Sequence, residues 1–291
     1  MPQIQPQKPR LAPGGQEGRS MATSRQCREQ IRAGEWDEAL RALYGPQEPV
    51  LAWQRRRYCD ALAEFERYFG PGRQVHLYSA PGRAELGGNH TDHQHGFGLA
   101  AAVDLDLVAV AAPGVDGYIR VKSRGFNKLD VIDLSQPGPQ TGESTHSASL
   151  IRGIAEGFRA QGAAFGGFDL YTVSGVLRGS GLSSSAAFEM GVAAALNGEY
   201  GCGFSAPRMA LVCQQAENAY FGKPSGLLDQ LTSRIMCPVD ETGSHSVMPS
   251  TMPIRIALMI SINKTRSSYF PYSPDRVQDF ACFRCVPLYT L

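Results

Sequence analysis

The run Pro81-Gly82-Arg83-Ala84-Glu85-Leu86-Gly87-Gly88-Asn89-His90-Thr91-Asp92-His93 gathers a guanidinium, two carboxylates and two imidazoles between glycines. A polar turn broken by glycine lets a ligand approach backbone and charge together. A second such stretch follows about a hundred residues later, Gly179-Ser180-Gly181-Leu182-Ser183-Ser184-Ser185-Ala186-Ala187. Glycine there would let an anion close to the backbone, and the serines add hydroxyl donors. If a helix opens near Ser183, its first N–H groups and the positive end of its dipole make an anion site, which suits phosphate. The plainer alternative is a serine N-cap on that helix. The stretch is neither a G-x-x-x-x-G-K-[ST] loop nor a G-x-G-x-x-G fingerprint, since Ser184 replaces the third glycine. A G-x-S-x-G elbow is also absent, which argues against serine-hydrolase chemistry.

These two loops need elements to hold them. Apolar runs at 75–79 and 97–112 predict strands on either side of the first loop, which is thus expected to be a turn. Further strands are predicted at 118–123, 129–134 and 168–176, joined by Gly, Pro and Asn turns. Helical spacing predicts helices over 36–44, 50–69, 149–161, 183–200 and 206–221, with a short one at 226–234. Strands grouped before helices indicate an α+β fold. Residues 1–21, with Pro2, Pro6, Pro9, Pro13 and four glutamines, read as a disordered extension ahead of a start at Met21. Residues 22–235 form the organised region. Residues 236–291 keep a single glycine, Gly243, and one strand-like run at 254–262, and read as a truncated or aberrant C-terminal segment.

Composition excludes several classes. With 28 basic and 27 acidic residues the net charge is +1, so neither nucleic acid nor an anionic membrane is the expected partner. Hydrophobic residues make up 43% and charged residues 19%, an ordinary globular balance, and no apolar run approaches a bilayer span. The N-terminus has no secretory pattern. Seven scattered cysteines suit reduced thiols in a cytoplasm, and the lone Cys282-x-x-Cys285 pair lacks the partners of a zinc site.

The motifs resemble those of galactokinases, members of the GHMP family of small-molecule kinases. Gly82-Arg83 through Gly87-Gly88-Asn89-His90-Thr91-Asp92 resembles the hallmark G-R-x-N-x-I-G-E-H-T-D-Y, and 181–187 resembles the family's ATP-binding motif. Gln215-Ala216-Glu217-Asn218, followed by 222–230, resembles its catalytic-carboxylate segment. The resemblance spans about residues 36–235, in order and spacing. It implies a GHMP kinase N-terminal domain, a mixed sheet with helices packed on it and a left-handed crossover like that of a ribosomal protein, plus an incomplete C-terminal domain. The implied activity is transfer of phosphate from ATP to the anomeric hydroxyl of galactose, with Mg2+, in a cytoplasmic monomer.

The implied roles follow residue by residue. Asp229 would accept the sugar hydroxyl's proton, being ionised at neutral pH as a base must be. Arg83 would stabilise charge on the transferred phosphoryl group; its plainer role is an ion pair with Glu85. Ser185 and Glu217 would hold Mg2+, a hard cation that takes oxygen ligands. Gly179, Ser180, Gly181, Leu182, Ser183, Ser184 and Ser185 would wrap the ATP phosphates. Asn89, His90, Thr91 and Asp92 would line the sugar, with Asp92 reading two hydroxyls.

Three departures stand out. Asn89 replaces the family's Glu, which opens N-acetylgalactosamine or another sugar as substrate. His93 stands where Tyr is common. The family's third, glycine-rich motif has no counterpart after Gly226 beyond Gly243, so the chain is expected to be impaired, or to be a catalytically dead sugar- or nucleotide-binding relative. A different class of function would use His90, Asp92, His93 and His95 as metal ligands, although such sites draw ligands from separate segments.

Overall fold

The computed structural model describes residues 22–88 and 98–233 in full, and the backbone of 255–257. Its organising element is the long strand β2 (Leu99–Pro113). Val108, Val110 and Ala112 point into one core, and Leu107, Ala109 and Ala111 into another. Successive side chains of a strand face opposite sides, so an unbroken apolar run marks a strand buried on both faces.

β2 pairs antiparallel with β1 (His76–Gly87) on one side and with β5 (Phe168–Ser174) on the other. β5 lies parallel to β3 (Tyr118–Ser123), which forms an antiparallel pair with β4 (Leu129–Asp133). The order β1-β2-β5-β3-β4 is a mixed sheet, and β6 (Arg255–Ala257) adds to β2 at Ala100–Ala102. The predicted strands are all present, and the α+β reading holds.

The first loop is a correction. The sequence predicts a turn from Pro81 onward, but β1 continues to Gly87, with Arg83 opposite Ala102. The register slips between Pro81 and Arg83 and again between Glu85 and Gly87. Such irregularities bend a strand and re-aim its side chains. Glycine and charge here mark a distorted strand.

Helices cover both faces. α1 (Ser24–Ala33), α2 (Asp37–Tyr44) and α3 (Glu48–Phe69) enclose one core, built on Ile31, Leu51, Leu62 and Phe65. α1 has no counterpart among the predicted helices. It is polar, burying only Ser24, Cys27 and Ile31, and it starts with a capping box at Thr23 and Gln26. α4 (Ser147–Ala160), α5 (Ser184–Tyr200) and α6 (Ala206–Ala216) enclose the second core with Phe158, Met190 and Phe204. The helix predicted over 206–221 instead changes at Glu217 into one π-helical turn (Glu217–Phe221). α7 (Leu228–Thr232) is a single turn. Cys27, Cys59, Cys202 and Cys213 are free thiols.

Candidate functional site

The serine loop lies between β5 and α5, and glycine dictates its shape. Gly179 and Gly181 have φ of +75° and +76°, in the left-handed region that favours glycine. Ser183 shares that region with φ +55° although it carries a Cβ, and such a residue is worth a functional question. Its hydroxyl does not cap α5, contrary to the plainer reading; it donates to the carboxylate of Asp229. No side chain caps the first turn of α5, which leaves its N–H groups facing the loop.

β1 meets this loop directly. The Arg83 N–H donates to the Leu182 carbonyl at 3.0 Å. A Cβ on Gly82 would stand 2.9 Å from that same carbonyl, so only glycine fits without a shift. Arg83 is 4% exposed. Its Nε donates to Asp229 Oδ1 at 2.6 Å and its Nη1 to the Gly181 carbonyl at 2.8 Å. Arg83 and Asp229, 146 residues apart in sequence, therefore form one ion pair at the mouth of the serine loop.

A second carboxylate sits behind it. Glu217 is 2% exposed, at the start of the π turn. Single π turns occur frequently at functional sites. Glu217 Oε1 accepts from Lys223 Nζ at 2.7 Å and from Ser185 Oγ at 3.4 Å. Its Oε2 accepts from Gln230 Nε2 at 2.9 Å, and the same nitrogen donates to Glu189 Oε2 at 3.1 Å.

The electrostatics follow from this crowding. Glu189 is 0% exposed, and burial, reinforced by Glu217 nearby, pushes its pKa well above the usual carboxylate range. Burial alone would lower Lys223, but its hydrogen bond to Glu217 and that carboxylate's charge outweigh burial and hold it above lysine's ordinary value. Lys223, Gln230 and Glu189 join this cluster, and the sequence reading did not assign them to the site. Lys223 and Gln230 lie inside the quoted carboxylate segment. Glu189 had only one signal, an acid in the middle of an alanine-rich helix, flanked by Phe188 and Met190.

Of the residues expected at the site, Arg83, Ser183, Ser185, Glu217 and Asp229 come together, with Gly179, Ser180, Gly181 and Leu182 on the adjoining loop and Ser184 at the start of α5. Asn89, His90, Thr91 and Asp92, with the histidine cluster at 90–95, lie outside the described residues. Among the described residues there is no cluster of His, Cys, Asp and Glu suited to a metal, and no helix long and apolar enough to cross a membrane. A cavity of about 640 Å³ opens elsewhere, on the α3 side of the sheet between Tyr68, Lys122 and Tyr171, and includes none of these residues.

Residues 63–113 match the galactokinase galactose-binding signature, and residues 149–234 match the GHMP kinase N-terminal domain. Among solved structures, the galactokinase of Lactococcus lactis, complexed with galactose, is 28% identical with a TM-score of 0.55, over 58% of this chain and 44% of that one. The match thus spans less than half of the lactococcal chain. The mevalonate kinase of Methanococcus jannaschii is 18% identical (TM-score 0.47, 57% of this chain and 54% of that one). A D-glycero-D-manno-heptose 1-phosphate kinase from Bacteriodes thetaiotaomicron is 20% identical (TM-score 0.46, 55% and 53%). The two matched regions follow one another in the chain, and the residues that meet at the site fall inside them, so the chain carries a galactokinase galactose-binding signature at 63–113 and a GHMP kinase N-terminal domain at 149–234.

Proposed function

We propose that this chain is a sugar 1-kinase of the galactokinase type, which transfers the terminal phosphoryl group of ATP to the anomeric hydroxyl of galactose. The observation that carries the reading is the convergence of Asp229, Arg83 and Ser183 at the opening of the serine loop. These groups come from three separate segments, and a surface carboxylate would have no reason to meet a buried arginine there.

In this reading Asp229 accepts the proton of the attacking hydroxyl, and its bonds from Arg83 and Ser183 fix the direction of its lone pairs. When phosphate enters, Arg83 is placed to stabilise its developing charge, a contribution of about 10³–10⁵ in rate for arginines in such positions. Residues 179–185 and the uncapped start of α5 would cradle the phosphates. Ser185 Oγ and Glu217 Oε1, 3.4 Å apart, are hard oxygen donors of the kind Mg2+ takes while it keeps several waters. Bound there with the nucleotide, Mg2+ would neutralise charge on the β- and γ-phosphates. Lys223 already neutralises Glu217 and would have to release or share Oε1. Asn89, His90, Thr91 and Asp92 would bind the sugar, and the galactose held by the lactococcal relative supports galactose as that sugar.

A coupled assay of ADP release with Mg·ATP and a panel of galactose, N-acetylgalactosamine and other monosaccharides tests the reading. Galactose is expected to give the highest kcat/KM, with activity lost in Asp229→Asn and Arg83→Met. Low turnover is the outcome expected from the missing third motif; turnover that survives both substitutions, or failure to bind both Mg·ATP and every sugar of the panel, would sink the reading.

A further inference from the structure

We propose that Gln230 is a positioning residue that sets Glu217 and Asp229 in register, so that the metal-binding and proton-accepting halves of the site act together; this rests on the kinase reading above. Gln230 is 0% exposed and follows Asp229 directly in the one-turn helix α7. A helix that short does not hold itself in place. Its side-chain nitrogen gives one hydrogen to Glu217 Oε2 and the other to Glu189 Oε2. Two carboxyl acceptors on one side require the NH2 end of the amide to face them, so the orientation is dictated by chemistry.

This leaves Gln230 Oε1 buried without a partner among the described residues. An apolar side chain of the same shape would avoid that cost, which an unpaired buried acceptor makes appreciable. The amide is therefore poorly explained as packing. Its geometry is that of an outer-shell group: it holds one oxygen of Glu217 from behind and turns the other, Oε1, toward Ser185 and Lys223. Outer-shell partners of metal-binding carboxylates typically matter by 10–100-fold in metal affinity or activity. Through its chain neighbour the same anchor fixes Asp229 against Arg83 and Ser183.

The test uses the full chain and Mn2+ with ATP, with metal binding followed by electron paramagnetic resonance and galactose kinetics run in parallel. Gln230→Met, close to glutamine in shape, is expected to weaken Mn2+ binding in the ATP complex by about 10–100-fold. It should lower kcat by a similar factor and leave the KM for galactose within about threefold, a split that general loosening of the fold would not give. Gln230→Asn keeps a buried amide too short for both carboxyl groups and carries the test if the methionine variant does not fold; a smaller loss is expected. Wild-type Mn2+ affinity in either folded variant overturns the inference. Glu217→Gln separates the two readings. If it weakens Mn2+ binding and Gln230→Met does not, only the positioning role falls. If it leaves Mn2+ binding intact, the metal assignment of the kinase reading falls, and the positioning role with it.

Discussion

At the scale of single residues, the site is a contest between charge and burial. Arg83 is almost fully enclosed and its guanidinium rests on Asp229. Asp229→Asn keeps an oxygen that can accept from Arg83 and Ser183 but cannot take up a proton. Phosphorylation of galactose is therefore expected to fall by about 10²–10⁴, with far-ultraviolet circular dichroism unchanged; a loss below tenfold in the coupled assay would remove Asp229 as the base. Glu189 makes the complementary case. Its pKa is raised by burial, so the folded state holds the proton more tightly than the unfolded one. The sign follows from linkage: that stability is full below the unfolded carboxylate range and drains away as pH rises toward the folded value. Glu189→Gln fixes the neutral form, and melting temperatures at pH 5 and pH 8 check the consequence. The variant should gain on the wild type at pH 8 more than at pH 5, by about 2–4 °C for each kcal/mol recovered in a chain of this size. An equal offset at both pH values would mean that Glu189 is ionised in the folded protein.

At the scale of elements, the decisive contact is β1 against the serine loop. Gly82 permits it, since the nearest atoms to a Cβ there are the Leu182 carbonyl at 2.9 Å and Val176 side-chain carbons at 3.1 Å. Gly82→Ala must push the loop outward, breaking the 3.0 Å bond from the Arg83 N–H to the Leu182 carbonyl. The expected cost is about 1–3 kcal/mol, read from denaturant midpoints, with nucleotide affinity weakened more than sugar affinity. Unchanged ATP binding would show that this contact does not shape the phosphate loop. The same contact shows where sequence reading stops. Periodicity located strands 118–123 and 168–174 and the helix from 184, because burial on one or both faces leaves a pattern in the residues themselves. It missed β1 beyond Pro81, since a strand bent by register shifts carries glycine and charge where an ordinary one carries alternation. It set Ser183 in the phosphate loop with an N-cap as the plainer alternative, but that hydroxyl answers to Asp229, 46 residues away, and no local rule records such a partner. Gln230 and Glu189 were invisible as a pair for the same reason.

At the scale of the whole molecule, two helical layers compress one sheet, and a buried polar hub joins the α1–α3 layer to the strand that carries Arg83. Asp106 is 2% exposed in β2 and accepts hydrogen bonds from Arg57, Tyr44 and Ser79. Arg57 also donates to the carbonyls of Asp106 and Val173, and Tyr44 meets Tyr58 at 2.7 Å, so α2, α3, β1, β2 and β5 share one network. Asp106 faces Pro81 across the strands, at the edge of the register shift that precedes Arg83. The hub thus fixes the point from which β1 bends toward the serine loop. Removing one ion from a buried pair strands the other and costs about 3–5 kcal/mol, whereas replacing both with apolar groups is often neutral. Asp106→Leu and Arg57→Leu are each expected to lower stability by that amount in urea unfolding, and the double variant should lie closer to the wild type than either single one. Because only the single variants leave an uncompensated charge beneath the bend, ATP affinity should fall in them and recover in the double variant. Additive losses in the double variant would instead mean that the two residues contribute by packing alone, and that the bend at Pro81 holds without them.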